Sequence, residues 1–353
     1  AGTWSLCRLR QLTGLLPLPP LKADMEDKPM SLTSEQVKRA AKELGADLCG
    51  IASMDRFEGA PKQQDPRYIF PAAQACIVLG FRIPRGYFRG IEEGTYFAAY
   101  TALGYGGMNL VYMPIVQREL TCFIEDHEYE AAPIPNIYAG ATISFDTQEH
   151  NPDRSRPVRE GLPSPDVMVD FRIAAFAAGL GEFGYSKVFL NPEYGPAVRY
   201  VAILTDAPLE PDPLFDGEIC DHCMACVKEC SAGAISATET ESITIAGKRV
   251  EWAKLDTQKC SIGYCGGSPE TNPFMRPGAD PADYEGKYCG GSELSKVVGY
   301  PRVYQHNAAL EGAKGCIRAC MAHLQDKGAL EKRFKNKFRT GRPWKMAFAP
   351  PEA

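Results

Sequence analysis

A short stretch of this chain holds four cysteines at a spacing that suits metal chemistry. It reads Cys220-Asp-His-Cys223-Met-Ala-Cys226-Val-Lys-Glu-Cys230, a C-x2-C-x2-C-x3-C pattern. A tight loop with two-residue gaps can present three thiolates to one [4Fe–4S] cluster, and the fourth cysteine commonly serves a second cluster. Structural zinc sites favour two separated C-x2-C pairs instead. The spacing therefore predicts an iron–sulfur site.

Five further cysteines follow this motif: Cys260, Cys265, Cys289, Cys316 and Cys320. The last two form only the C-x3-C half of a second motif, because alanine stands at position 313, where a complete motif would have a cysteine. Cys265 and Cys289 both stand in a Tyr-Cys-Gly-Gly-Ser sequence, which is a small internal repeat. Glycines allow close approach of the backbone to a cluster sulfur, so either cysteine could be a ligand.

In two-cluster ferredoxins, the last cysteine of each motif binds the other cluster. That arrangement predicts a first cysteine group made of Cys220, Cys223, Cys226 and Cys320. The second cysteine group then contains Cys230, Cys260, Cys316 and either Cys265 or Cys289. Two neighbouring clusters form an electron path, which needs a redox centre at one end and an electron donor at the other.

Composition restricts the class of protein. The 353 residues are 44% hydrophobic, enough for one large or two modest domains, and the net charge of -5 excludes a general nucleic-acid binder with a basic face. Nine of the 13 cysteines fall between positions 220 and 320, which is typical of metal binding in a reducing compartment rather than of a disulfide scaffold. With no run of 18 apolar residues, we expect a cytoplasmic protein without a membrane span.

Hydrophobic periodicity predicts the elements that position these cysteines. Residues 34–45 are expected to form an amphipathic helix capped by Ser34, and strands are expected at 47–52, 75–81 and 198–205. The apolar 75–81 strand should lie inside a sheet. Residues 95–129 are expected to be helical with a glycine-rich break at 104–107.

The segment from Gly179 to Gly184 formally matches the dinucleotide-binding pattern G-x-G-x-x-G. That fingerprint must follow a strand and open a helix. Here it follows a predicted helix, 170–178, and leads into a predicted strand, 186–190. The glycines are therefore interpreted as a helix stop and a turn.

The order of these segments resembles the superfamily of corrinoid-dependent reductive dehalogenases and epoxyqueuosine reductases over about residues 34–325. The resemblance rests on Ala178-Gly-Leu-Gly-Glu-Phe-Gly184, Leu190-Asn-Pro-Glu-Tyr-Gly-Pro-Ala-Val-Arg199 and Leu204-Thr-Asp-Ala-Pro-Leu-Glu-Pro211, followed by the cysteines. The alternation of helices and apolar strands up to residue 205 indicates an α/β or α+β fold. The resemblance implies a nitroreductase-like cobalamin-binding domain at 34–212 and a bacterial-ferredoxin-like domain at 213–330 that carries an insertion at 261–312. Residues 1–33 are expected to be a leader or an expression-derived extension, and 331–353 a basic tail that wraps back over an acidic body.

The resemblance also implies site residues. Tyr138 lies near the family's proton-donating tyrosine, and Arg199 matches its arginine before the clusters; Tyr105 is a weaker donor candidate. Tyr105, Tyr194 and Arg199 are the predicted cofactor contacts. No acid stands near Leu103-Gly-Tyr105, where epoxyqueuosine reductases carry their catalytic carboxylate, and no transfer-RNA partner is expected.

Two functions follow from this pattern. The first is a corrinoid-dependent reductase that receives electrons from a ferredoxin or flavodoxin through two [4Fe–4S] clusters and reduces a small organic substrate. The alternative is an electron-transfer subunit, or an activator of another protein's corrinoid, within a larger redox complex. The incomplete second motif and the insertion favour the alternative.

Overall fold

A four-stranded antiparallel sheet forms the centre of the chain in a computed structural model, which describes residues 32–136, 155–275, 278–284, 311–341 and 344. The chain divides into two units, Ala1–Ser31 and Leu32–Ala353, and every described residue belongs to the second. The strand order is β1-β2-β6-β3. The fold is α+β, as predicted, because the sheet is antiparallel and helices cover it.

The strands are β1 Leu48–Ser53, β2 Ala75–Arg82, β3 Ala131–Ile134, β4 Glu182–Phe183, β5 Phe189–Leu190, β6 Val198–Thr205, β7 Ile235–Ile245 and β8 Lys248–Leu255. The α-helices are α1 Ser34–Leu44, α2 Gly86–Glu93, α3 Met113–Glu125, α4 Phe171–Ala177, α5 Ala225–Glu229, α6 Thr257–Tyr264, α7 Glu311–Lys314 and α8 Cys316–Lys327. A π-helix spans Ala99–Tyr112, and short 3-10 turns lie at Met54–Phe57, Lys62–Gln64, Pro66–Tyr68 and Pro281–Tyr284. No helix of the described ranges is both long and apolar enough to cross a bilayer.

Both faces of the central sheet are buried. Alternate residues of β2 point to opposite faces, so Ile77 packs in the core with α1 and α3, whereas Val78 packs in the core with α4. Strand β2 lies between β1 and β6, which confirms the internal position predicted from its apolar sequence. The second core also takes in Trp252 of β8, so the β7–β8 hairpin packs on this side.

The N-cap of helix α1 lies one residue earlier than predicted. Thr33, not Ser34, is the N-cap, and its hydroxyl accepts a hydrogen bond from the Gln36 backbone N–H while the Gln36 side chain accepts from the Thr33 N–H. This reciprocal pair is a capping box. The Ser34 hydroxyl donates instead to the Glu210 carbonyl at 2.8 Å.

The expected break at 104–107 is absent from the described helix, because the π-helix runs through it. A Cβ atom at Gly107 would lie 2.7 Å from the carbonyl oxygen of Ala102, five residues earlier. A π-helix bonds residues five apart, so glycine leaves room where a side chain would crowd this turn. The segment is therefore wound differently rather than interrupted.

The C-terminal segment lies against α2. Arg85 donates hydrogen bonds to the carbonyl oxygens of Asn336 and Lys337, and the Trp344 indole N–H donates to the Ile91 carbonyl at 2.6 Å. Arg339 pairs with Glu93 at 2.6 Å. The described part of the basic tail thus folds back onto acidic residues, as expected.

Candidate functional site

The Cys220 loop has an unusual backbone. His222 and Met224, which flank Cys223, both have positive φ angles, of 54° and 61°. Residues other than glycine rarely adopt this left-handed conformation, and those that do cluster at functional sites. The two residues turn the chain around Cys223 before α5 begins.

Cys320 joins this loop from helix α8, which packs against α5. Burial raises the pKa of the Cys320 thiol well above its usual value, and the neighbouring thiols of Cys220, Cys226 and Cys223 raise it further. Burial, followed by the charges of Cys220 and Cys223, likewise raises the pKa of Cys226 to about 11. The structure therefore brings together all four members of the first cysteine group.

A buried ion pair fixes the orientation of α8 against α5. The Arg318 guanidinium, fully buried, lies 2.8 Å from the Glu229 carboxylate at the end of α5. Arg318 also donates to the carbonyl oxygens of Lys314 and Arg339. This pair connects the helix of Cys226 with the helix of Cys320.

The second cysteine group is only partly assembled. Cys230 and Cys316 pack around the same small apolar cluster, which includes Tyr185 and Ile235. The Ala234 N–H donates to the Cys230 sulfur at 3.4 Å. Cys260 is exposed in the middle of α6, Cys265 is fully buried just after its last residue, and Cys289 lies outside the described residues.

A second donor set overlaps with the first cysteine group. Donor atoms of Asp221, Cys223 and His323 all lie within 4.8 Å of one another. Hydrogen bonding from His323, then from Lys327, lowers the pKa of Asp221 to about 2, against a smaller opposing effect of burial. These three donor types could bind a zinc ion, but Cys223 cannot serve a zinc site and an iron–sulfur cluster at once.

A second candidate site surrounds Arg199, which lies among three tyrosines. Its guanidinium carbon is 4.3 Å from the ring centre of Tyr105, and Tyr100 and Tyr264 surround the same group. Arg199 is half-buried. Its Nε atom is buried and has no hydrogen-bond partner among the described residues.

Tyr264 and Tyr100 keep their hydroxyl protons beside this cation. Burial raises the pKa of Tyr264 well above its usual value, Tyr105 adds to the rise, and Arg199 opposes it. Burial also raises the pKa of Tyr100, again against Arg199. A neutral hydroxyl beside a cation can donate a proton to a bound molecule.

The structure separates Tyr194 from Arg199 and Tyr105, although the sequence grouped the three. Tyr194 lines a cavity of about 210 Å³ together with Arg82, Arg85 and Lys332. Burial, then the Glu193 carboxylate, raises the pKa of Tyr194 to about 12. Tyr138, the predicted proton donor, lies outside the described residues.

The sequence did not single out Tyr264, Tyr100 or Glu182. Tyr264 directly precedes Cys265 in the repeated Tyr-Cys-Gly-Gly-Ser motif, which was the available signal. Glu182 lies inside the Gly179–Gly184 segment, and its carboxylate accepts from the backbone of Cys220 at 2.6 Å. Tyr264 lies near Arg199, and Glu182 binds the Cys220 loop. Each contact joins segments that are distant in sequence, and local sequence patterns do not reveal such contacts.

Comparison with known proteins shows which enzymes the chain is similar to. The chain is 27% identical over 308 residues to a tetrachloroethene reductive dehalogenase of Sulfurospirillum multivorans, covering 74% of this chain and 53% of that protein. It is 39% identical over 59 residues to an epoxyqueuosine reductase of Listeria monocytogenes, covering 16% of this chain and 15% of that protein. No family model matches. The names of both relatives describe reductive enzymes.

The chain is thus similar to reductive dehalogenases over most of its length and to an epoxyqueuosine reductase over a short segment. It spans about half the length of the dehalogenases that it matches. A solved reductive dehalogenase, described in terms of B12-dependent dehalogenation, has a TM-score of 0.48 and 16% identity, covering 94% of this chain and 42% of that chain. The solved epoxyqueuosine reductase of Bacillus subtilis has a TM-score of 0.41 and 16% identity, covering 68% and 58%.

The described residues fit the two expected cofactors unequally. Four neighbouring thiols with a backbone N–H donated to Cys220 suit an iron–sulfur cluster. For a corrinoid, the orphaned Arg199 Nε offers a donor to a polar substituent. The two best-formed cavities of the described residues, of about 330 and 210 Å³, are lined by other residues and are smaller than the roughly 1,000 Å³ of large ligand sites.

Proposed function

We propose that this chain is an iron–sulfur, corrinoid-dependent reductase of a small organic substrate. The observation that carries the proposal is the position of Cys320, on helix α8, near Cys220, Cys223 and Cys226. These four thiols supply the ligand set of one [4Fe–4S] cluster. The similarity to tetrachloroethene reductive dehalogenases supports a reductive reaction.

The second cluster would be held by Cys230, Cys316, Cys260 and one of Cys265 or Cys289. Cys230 and Cys316 already share one apolar cluster of side chains. Iron–sulfur clusters supply one-electron transfer, and a corrinoid supplies a strongly reducing cobalt centre, when these groups are bound. We assign the cluster ligands to a ferredoxin-like domain at 213–330.

Arg199 and the tyrosines around it are the proposed substrate and corrinoid contacts. The buried cation attracts an electron-rich or anionic group, and its unpaired Nε can donate to it. Tyr105 covers the guanidinium face, and the raised pKa of Tyr264, caused first by burial, keeps a neutral donor nearby. Tyr138 remains the proton donor that the family resemblance implies.

The proposed electron donor is a ferredoxin or flavodoxin, and the proposed setting is the cytoplasm. The concentration of cysteines between 220 and 320 supports a reducing compartment. A thiol-rich cluster protein would lose its ligands to oxidation elsewhere.

A second candidate is an electron-transfer subunit, or a reductive activator of a corrinoid held by another protein. The modest size of the two best-formed cavities favours this candidate, since neither includes Arg199 in its described lining. The first candidate requires a corrinoid on this chain, whereas the second does not.

The deciding experiment is an anaerobic analysis of the full chain after reconstitution with iron, sulfide and cobalamin. The proposal predicts about eight irons, from two [4Fe–4S] clusters, and about one cobalt per chain. Eight irons without cobalt would favour the electron-transfer subunit, and a chain without iron would contradict both. Tyr138→Phe should then abolish turnover and leave the iron content unchanged.

A further inference from the structure

The Gly179–Gly184 segment delivers a carboxylate to the cluster loop. Gly179 and Gly181 have φ angles of 71° and 150°. A Cβ atom at Gly179 would lie 2.1 Å from the Pro213 carbonyl oxygen, and one at Gly181 would lie 1.9 Å from that of Leu190. Only glycine fits such close backbone approaches. The turn leads directly into Glu182 at the start of the β4–β5 hairpin.

The Glu182 carboxylate contacts the entry to the cysteine loop. One oxygen, Oε1, accepts hydrogen bonds from the backbone N–H groups of Ile219 at 2.7 Å and Cys220 at 2.6 Å. These are the residues immediately before and at the first cysteine of the motif. The short distances are typical of bonds to a charged acceptor.

The same hairpin also contacts the sulfur of that cysteine. The Tyr185 backbone N–H, three residues after Glu182, donates to the Cys220 Sγ atom at 3.3 Å. Because the Glu182 carboxylate is bound to the backbone N–H of Cys220 itself, its charge lies close to the Cys220 sulfur.

We propose that Glu182 positions the Cys220 loop and lowers the reduction potential of the cluster bound by the first cysteine group. Reduction adds an electron to the cluster, and a fixed negative charge nearby makes that addition less favourable. Glu182 is thus a positioning and potential-setting residue rather than a ligand. The inference rests on the proposed function, because it requires the cluster.

Glu182→Gln separates charge from geometry. The amide keeps an oxygen that can accept both backbone hydrogen bonds, but it removes the negative charge. Glu119→Gln is the matched control: Glu119 is also partly exposed, and it pairs with Arg118 on α3, away from the cysteines. Both variants and the parent chain are reconstituted anaerobically and titrated with reductant, and electron paramagnetic resonance follows each cluster.

The parent chain and Glu119→Gln should show the same two reduction steps. Glu182→Gln should keep the parent iron content and shift one step to a higher potential. An unshifted pair of steps in fully loaded Glu182→Gln would overturn the inference, and so would a loss of iron from that variant alone. A parent chain without clusters would instead contradict the proposed function, so the two failures are distinguishable.

Discussion

At the residue scale, Cys320 connects the two halves of the cysteine-rich region. It lies on α8, and it packs against the same apolar cluster as Cys220 of the cysteine loop. Cys320→Ser should remove one cluster and lower the iron content from about eight to about four per chain, because a serine hydroxyl is a poor replacement for a thiolate. Anaerobic iron analysis and electron paramagnetic resonance measure this loss.

Cys122→Ser is the control for this prediction. Cys122 lies on α3, and both sequence and structure leave it outside the two cysteine groups. The Cys122→Ser variant should retain the full iron content. Equal iron in Cys320→Ser and the parent chain would show that Cys320 is not a ligand.

The contacts of Arg199 show which side-chain contacts the sequence could predict and which it could not. Sequence grouped Arg199 with Tyr105, and their side chains stack in the structure. Sequence also grouped Tyr194 with them, but Tyr194 lines a cavity with Arg82 and Lys332, and Arg199 is not part of that lining. Tyr264 was missed, since its approach depends on how α6 packs, and no local pattern encodes that packing.

At the scale of elements, the buried pair of Arg318 and Glu229 connects the two cluster-bearing helices. Arg318→Ala would remove the cation paired with the Glu229 carboxylate and the hydrogen bonds from Arg318 to the carbonyl oxygens of Lys314 and Arg339. Removing one member of a buried ion pair costs about 3–5 kcal/mol. Urea unfolding of the anaerobic protein should show a destabilisation of that size.

An exposed pair offers the comparison. Lys254 and Glu239 lie 2.8 Å apart across the β7–β8 hairpin, with both side chains more than half exposed. Solvent screens such a pair, so Lys254→Ala should cost much less stability than Arg318→Ala. Equal effects of the two substitutions would contradict the structural role assigned to Arg318.

The glycine turn before β4 gives a second prediction at this scale. Gly181→Ala would force a Cβ atom against the Leu190 carbonyl at a φ of 150°. Because neither backbone segment can move freely, we expect a loss of more than about 3 kcal/mol in the free energy of unfolding. Gly247→Ala has positive φ but open space, so it should cost only about 1–2 kcal/mol, the strain of the left-handed conformation. Thermal unfolding of the two variants tests the difference.

Secondary structure was predictable where hydrophobic patterns are strong. The expected strands at 47–52, 75–81 and 198–205 match β1, β2 and β6 within one residue. The π-helix was not predictable, because apolar spacing in a short window does not separate it from an α-helix. The β7–β8 hairpin was also missed, since its exposed β7 residues give little hydrophobic signal.

At the scale of the whole molecule, the sheet isolates a titratable thiol from solvent. Cys76 on β2 is fully buried, and burial raises the pKa of its thiol from 9.0 to about 12. The folded chain thus keeps this proton to higher pH than the unfolded chain does. The stabilising effect of the protonated Cys76 thiol is complete below pH 9.0, its pKa in the unfolded chain. It is lost as the pH rises toward the pKa in the folded chain, because the unfolded state ionises first.

The effect of Cys76→Ala on the free energy of unfolding should therefore change sign as the pH rises. Near neutrality it should be less stable than the parent chain by about 1 kcal/mol, because the substitution leaves a small cavity. Each pH unit above the unfolded pKa costs the parent chain about 1.4 kcal/mol, so the variant should be the more stable one by about pH 10.5. Val78→Ala, on the same strand and equally buried, removes no titratable group, and its stability difference from the parent should stay constant. Anaerobic urea unfolding across this pH range measures both differences, and parallel curves for the two variants would show that Cys76 does not contribute to the pH dependence.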